Sequence, residues 1–102
     1  MPDVRIRHNA EGARYEARVG SKMAGFVEYQ LAEDLIVFTH TEVDPAYEGQ
    51  GVGSALARKA LDDVRRSDRK VLPLCPFIKG WIGSHREYVD LVYGAPPSTV
   101  ID

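Results

Sequence analysis

Cysteine is nearly absent: Cys75 stands alone, so no internal disulfide is available, and no group of cysteines and histidines has the spacing of a structural zinc site. That usage fits a reducing compartment, and cytoplasm is the default expectation. Basic charge is not in excess either, with 13 Lys and Arg against 15 Asp and Glu and a net charge of -2. The sequence therefore lacks the electrostatic footprint of a protein that grips a phosphate backbone, and no nucleic-acid partner is expected. No apolar run approaches the ~18 residues of a membrane span. The opening residues, Met1 to His8, show no basic segment leading into an apolar core, so neither membrane nor export signal is expected. Internal repeats and low-complexity segments are missing. What remains is a chain of 102 residues, 44% hydrophobic and 27% charged, which is the balance and length of one globular domain with a modest core.

The first third alternates at period two between clusters of turn-forming residues, which predicts strands in a meander. Val4 and Ile6 alternate with Arg5 and Arg7, a turn follows at Asn9 to Gly12, and Tyr15, Ala17 and Val19 alternate with Arg14, Glu16 and Arg18. A third strand is predicted over Ala24 to Leu31, with Val27, Tyr29 and Leu31 on one face and Phe26, Glu28 and Gln30 on the other. Leu35 to Phe38 is apolar without a break, as in a strand covered on both faces, and it runs on into Thr39 to Val43. Asp44-Pro45 ends that strand. From Val52 to about Arg66, Val52, Ala55, Leu56, Ala60 and Val64 recur at helical spacing and predict the main helix. Lys70 to Leu74 reads as a fifth strand, where Pro73 suggests an edge position, a bulge or an interrupted ladder, so that pairing is incomplete. Pro76 suits the first position of a short helix, and a second helical stretch is predicted over His85 to Tyr93. Residues 1–94 are expected to form the domain, and Ala95 to Asp102 a loose tail.

The most informative segment is the glycine-bearing loop Tyr47-Glu-Gly-Gln-Gly-Val-Gly-Ser-Ala-Leu56, placed directly before the main helix. Glycines permit close approach to the backbone, and the free amides and dipole of a helix N-terminus favour an anion such as a pyrophosphate. A flexible turn leading into a helix cap is the plainer reading. The nucleotide phosphate-loop pattern fails, because no Gly-Lys-Ser/Thr follows. The dinucleotide fingerprint also fails, because Ser54 stands where its third glycine belongs and the preceding strands read as antiparallel. Gln-x-x-Gly-x-Ala does fit, spelled by Gln50, Gly53 and Ala55. This resembles the coenzyme A pyrophosphate loop of the GCN5-related N-acetyltransferase superfamily. Phe38 to Val43, Tyr47 to Gly53 and Val71 to Phe77 occur in the order seen in a minimal, one-domain branch of that superfamily, and Trp81 to Val92 also resembles its C-terminal pattern. Larger members place two helices between their first strands, where this sequence has only Asn9 to Gly12.

The resemblance implies a mixed α/β acyl-CoA N-acyltransferase fold: an antiparallel four-strand meander, a main helix, a fifth strand and short C-terminal helices. It implies acetyl-CoA as cosubstrate and an amine acceptor, with a protein lysine or N-terminus as a possibility that an absent acceptor lid leaves room for. Gln50, Gly51, Val52, Gly53, Ser54 and Ala55 would hold the pyrophosphate, and the backbone of Thr41, Glu42 and Val43 would pair with pantetheine amides. Lys79, or Arg58 or Lys59, would meet the ribose phosphate, unless these are simply solvated cations. His40 and Glu42, two apart in one strand, share a sheet face and are candidates for the base that takes the amine proton, although both could merely cap the strand end. Cys75, ahead of Pro76, is expected at a helix N-cap, where negative charge is favoured. It could accept an acetyl group with His40 as its base, assist the leaving thiol, or simply be a small buried hydrophobe. Trp81, Phe77 and Tyr88 are expected in the core rather than stacked on adenine, and His8 and His85 lack the spacing of metal ligands. A coenzyme-binding module without catalysis, and a thioesterase using Cys75, are the rival readings.

Overall fold

The structure is a computed structural model that describes residues 3–94. The tail expected from Ala95 lies outside the described residues. Strands β1 (Val4–Asn9), β2 (Arg14–Val19), β3 (Lys22–Leu31) and β4 (Leu35–Val43) form the predicted antiparallel meander, and β5 (Lys70–Pro73) joins parallel to β4, giving the order β1-β2-β3-β4-β5. Tight turns join the meander: Asn9 Oδ1 accepts the Gly12 amide at 3.0 Å and Ala13 sits left-handed at φ 53°. Parallel β5 requires a crossover, supplied by helix α1 (Val52–Arg65). Helix α2 (Pro76–Ser84) and a 3-10 stretch, Arg86–Leu91, follow.

Register decides which side chains meet the helices. Tyr15 pairs with Val27, Tyr29 with Phe38 and Ile36 with Val71, and these six residues are buried against Leu56, Ala57, Ala60, Leu61 and Val64 of α1 and Ile78 of α2. The opposite face carries Arg7, Arg14, Glu16, Phe26, Glu28, His40 and Glu42 in paired rows. Among the described residues no helix covers that face. Leu35 and Val37 point to it and are only half-buried, so the apolar run Leu35 to Phe38 is not a strand covered on both faces as its composition suggests. Its apolar residues cross a sheet with helices on one side. The expected helix over His85 to Tyr93 is likewise the shorter, tighter 3-10 stretch, and Val92 then bridges to Val71.

Two features of α1 fix its ends. Gly51 caps it at φ 83°, and at the other end Arg65 holds Asp90 through two bonds of 3.1 and 3.0 Å, fastening the C-terminal segment to the helix. Asp62 accepts from Tyr88 at 2.6 Å, and the guanidinium of Arg58 lies over the rings of Trp81 and Tyr88.

On the open face Glu16 is buried despite its charge, at 2% exposure, and is satisfied by Asn9 at 3.0 Å and Arg14 at 2.9 Å. The Asn9 amide, then the Arg14 guanidinium, hold its carboxyl below its ordinary value near 4.5. Because the folded value is the lower one, the ionised carboxylate stabilises the fold above that pH and the contribution is lost as pH falls through the folded value. Glu16→Gln is therefore expected to lower the melting temperature by several degrees at pH 7, with the gap from the parent closing as pH falls through the lowered carboxyl value. Melting curves of both proteins across pH check this; a gap constant with pH would refute it.

Candidate active site

Three local constraints build the site. The first is the loop. After a 3-10 turn, Pro45–Tyr47, capped by Asp44, the chain passes Gly49 and Gly51 at φ 80° and 83°, a region open to glycine at little strain. The first helical bond of α1 runs from the Ala55 amide to the Gly51 carbonyl at 3.0 Å, and no side chain caps the helix. The amides of Val52, Gly53 and Ser54 thus lie ahead of the helical ladder, at the positive end of the helix dipole. A Cβ at Gly53 would lie 2.9 Å from the tip of the Phe77 ring, so glycine here lets that ring rest against the helix start. Ser54 accepts the indole N–H of Trp81 at 3.1 Å and fastens the same contact.

The second constraint is the parting of β4 and β5. Their pairing ends at Phe38 with Pro73, and the Cys75 amide then donates to the Phe38 carbonyl at 2.9 Å as the chain turns into α2. Among the described residues no backbone bond joins Thr39 to Val43 with the chain beyond Cys75, so that edge of β4 is bare. The third constraint is a β-bulge. Glu28 pairs with His40 but Tyr29 with Phe38, leaving Thr39 as the extra residue, and its hydroxyl donates to the Glu28 carbonyl at 3.3 Å. The bulge puts Phe38 and Thr41 on the helix face, and His40 and Glu42 on the open face.

The candidate side chains therefore fall into two pairs. His40 Nε2 lies 2.8 Å from Glu42 Oε2, both half-exposed, with the Phe26 ring beside the imidazole at 6.1 Å. Thr41 Oγ1 lies 3.1 Å from Cys75 Sγ, and Cys75 is buried at 2% exposure. Cys75 does occupy the N-cap of α2, but its sulfur makes no capping bond. The expected contact between His40 and Cys75 is absent: the two face opposite sides of the sheet, and the partner of the thiol is a hydroxyl. Next to Glu42 a cavity of about 290 Å³ is lined by Met23, Phe26, Glu42 and Asp44.

Comparison with known proteins fixes the relationship. The pattern of the family described as GCN5-related N-acetyl-transferase matches residues 14–91. This chain belongs to that family. It is an acetyltransferase, and the family uses acetyl-CoA as cosubstrate. It is 31% identical over 81 residues to Protein NATD1 of Mus musculus, covering 78% of this chain and 74% of that one. Among solved structures, a GCN5-like putative N-acetyltransferase from Staphylococcus aureus matches over 100% of both chains, with a TM-score of 0.72 at 21% identity, which speaks for the fold. The ribosomal-protein-S18-alanine N-acetyltransferase from Escherichia coli matches at 28% identity and a TM-score of 0.55. That match covers 59% of this chain and only 39% of the larger enzyme.

Within this acetyltransferase the remaining sequence candidates separate by their contacts. Lys59 pairs with Asp63 at 3.3 Å, and Arg58 is engaged by Tyr88 and Glu87, so neither is a spare cation. Lys79 is exposed one turn into α2, its amide bonded to the Cys75 carbonyl. Gln50 is exposed and its side chain reaches back to the Ala46 carbonyl at 3.3 Å. Trp81 and Tyr88 are core residues as expected, while Phe77 is partly exposed against Gly53. His85 stacks on Trp81 at 3.6 Å and bonds its carbonyl, a packing role. Sequence reasoning missed Met23, Phe26 and Asp44 beside Glu42; the pairing of Phe26 with Glu42 was the signal, and it requires the register.

Replacing Gly51 by alanine forces a side chain into a left-handed position at a penalty of about 1 kcal/mol. Gly53→Ala meets only the edge of a partly exposed ring, which can swing away. Denaturant unfolding is expected to show Gly51→Ala destabilised by about that amount and Gly53→Ala nearly unchanged; the reverse order would contradict this account of the loop.

Proposed function

We propose that this chain transfers acetyl from acetyl-CoA to a primary amine by direct attack. The observation that carries the reading is the junction of bared helix amides at Val52 to Ser54 with the bare edge of β4. Fully charged diphosphate suits those amides, and the amides of pantetheine suit the backbone of Thr41, Glu42 and Val43. Gln50, Gly51 and Ala55 complete the loop, and Lys79, exposed and close in sequence to Cys75, is assigned to the ribose phosphate.

In the reaction the amine nitrogen attacks the thioester carbonyl carbon; the new C–N bond forms and the C–S bond breaks. The proton shed by the amine goes to His40, which Glu42 orients through their 2.8 Å contact. The departing thiolate takes a proton on the other side of the sheet, where the Thr41 and Cys75 pair stands. Cys75 acts there as donor and not as an acyl carrier, because its neighbour is a hydroxyl instead of a base. The acceptor enters over the open face at the cavity beside Glu42, whose two carboxylates, Glu42 and Asp44, suit a cationic amine, which releases one proton to solvent before its neutral nitrogen attacks. A face without helical cover accommodates an amine on a protein, a lysine or an N-terminus, and the similarity to the ribosomal-protein-S18-alanine N-acetyltransferase supports that class. A buried free thiol fits work in the reducing cytoplasm.

The test is acetyl-CoA turnover with lysine and N-terminal peptides. His40→Ala is expected to lose ~10²–10⁴-fold in kcat with little change in the KM for acetyl-CoA. Cys75→Ala, which removes the proposed donor, is expected to lower kcat but less than His40→Ala does, and no acetylated intermediate is expected on the parent enzyme. Full turnover in a His40→Ala, Glu42→Gln double variant would refute the proposed base. An acetyl thioester on Cys75 would refute direct attack.

A further inference from the structure

A second cavity, about 330 Å³ in volume, lies at the other end of the sheet, and nothing in the proposed reaction uses it. It is bounded by the last turn of α1, the Ser67 to Arg69 loop and the adjoining ends of β1, β2, β3 and β4. Ile36 of β4 lines it, five residues before Thr41 and hence about 16 Å away along the strand. Its size falls at the lower end of small-molecule sites, ~300–1,000 Å³.

One wall is aromatic and stiff. The His8 ring lies flat on Tyr15 at 4.3 Å with 7° between planes, His8 Nε2 is 2.6 Å from the Tyr29 hydroxyl, and Tyr15 donates to Asp63 at 2.9 Å. Leu31, Ile36 and Val64 add aliphatic surface, with Leu31 more than half exposed at the rim. The charges do not cancel. Asp63 already serves Tyr15, Lys59 and Arg66. Arg69, which also lines the cavity, makes no side-chain hydrogen bond or ion pair among the described residues, and its Nε–H is buried without a partner. An unsatisfied buried donor is expensive, and a guanidinium is relieved best by a carboxylate, which takes its Nε and Nη edge in two parallel bonds.

We propose that this cavity binds a small monoanionic carboxylic acid with an aromatic or apolar body, its carboxylate forked by Arg69 and its body against Tyr15, Tyr29 and Leu31. One unspent positive charge matches one negative charge. A dianionic phosphate fits poorly, since Asp63 stands in the same lining. The Nε–H is shut off from solvent in the free protein, so uptake requires the guanidinium to turn its edge into the cavity.

Benzoate is the probe and benzamide its neutral counterpart, followed in ¹H–¹⁵N spectra of the full chain that include arginine Nε–H signals. At about 10 mM, enough to fill most of a site of millimolar affinity, benzoate is expected to shift the Arg69 Nε–H and the amides of Leu31 and Ser67 while leaving Gly51 to Ser54 unmoved. Benzamide should leave them in place. Arg69→Gln is expected to abolish the shifts. Leu31→Glu, at an exposed position that leaves folding untouched, should weaken binding several-fold by repulsion. Equal shifts with benzamide, shifts that survive Arg69→Gln in a protein whose spectrum shows it folded, no weakening in Leu31→Glu, or no shift in the parent would each overturn the proposal.

Discussion

The separation of β4 from β5 after Phe38 is the constraint on which the site depends. Parallel pairing lasts for four residue pairs and stops at Pro73, a residue with no N–H to extend it. One more bond, from the Cys75 amide to the Phe38 carbonyl, turns the chain away from the sheet and starts α2. Had the ladder continued, the outer edge of Thr39 to Val43 would be occupied by protein, and Cys75 would lie in a strand instead of across from Thr41. The docking of α2 on α1 through Trp81 with Ser54 and Phe77 with Gly53 follows from the same turn. Glycine loop, open strand edge and thiol are thus held in one arrangement by the place where a parallel pair fails.

A sheet with helices on one side must make its other face tolerable to water. Here that is done with charge in register: Arg14 stands beside Glu28, Glu16 beside Arg7, and Arg14 also covers Phe26 at 5.0 Å. Glu16 is buried where Arg14, Arg18 and Asn9 close over it. The polar face is consistent with a surface that meets water or a polar partner, and His40 and Glu42 stand on it. A compact chain can therefore present its candidate base without an extra helical layer.

Much of this was legible in the sequence because it is local. Alternation placed β1, β2 and β3, helical spacing placed α1 to within a residue of its end, and the glycines marked a loop that does take positive φ at Gly49 and Gly51, whereas Gly53 is helical and stands against Phe77. The bulge at Thr39 was not legible, since Phe38 to Val43 reads the same whether the alternation is continuous or stepped by one residue. That step decides that Thr41, and not His40, meets Cys75. Contacts between residues 34 apart, such as Thr41 with Cys75, leave no mark on either local pattern. Arg69 reads as one more cation in a polar turn, and only the fold shows its Nε–H enclosed without a partner.

Placing His40 and Cys75 on opposite faces bears on the order of chemical events. An acyl relay through Cys75 needs a base on the side of the sulfur to take the thiol proton, and the group in contact there, Thr41, holds its own proton at neutral pH. Direct attack needs the reverse arrangement: a base where the amine arrives and a proton source where the thiolate departs. The bulge supplies that division, because one extra residue sets His40 and Glu42 toward the uncovered face while Thr41 stays with the helices. In the proposed reaction, proton acceptance and proton donation would then be separated by the thickness of the strand, so the proton lost by the amine would not be returned by the group that protonates sulfur. On that geometry the residue that most shapes the mechanism is Thr39, which touches neither proton and whose work is to shift the register.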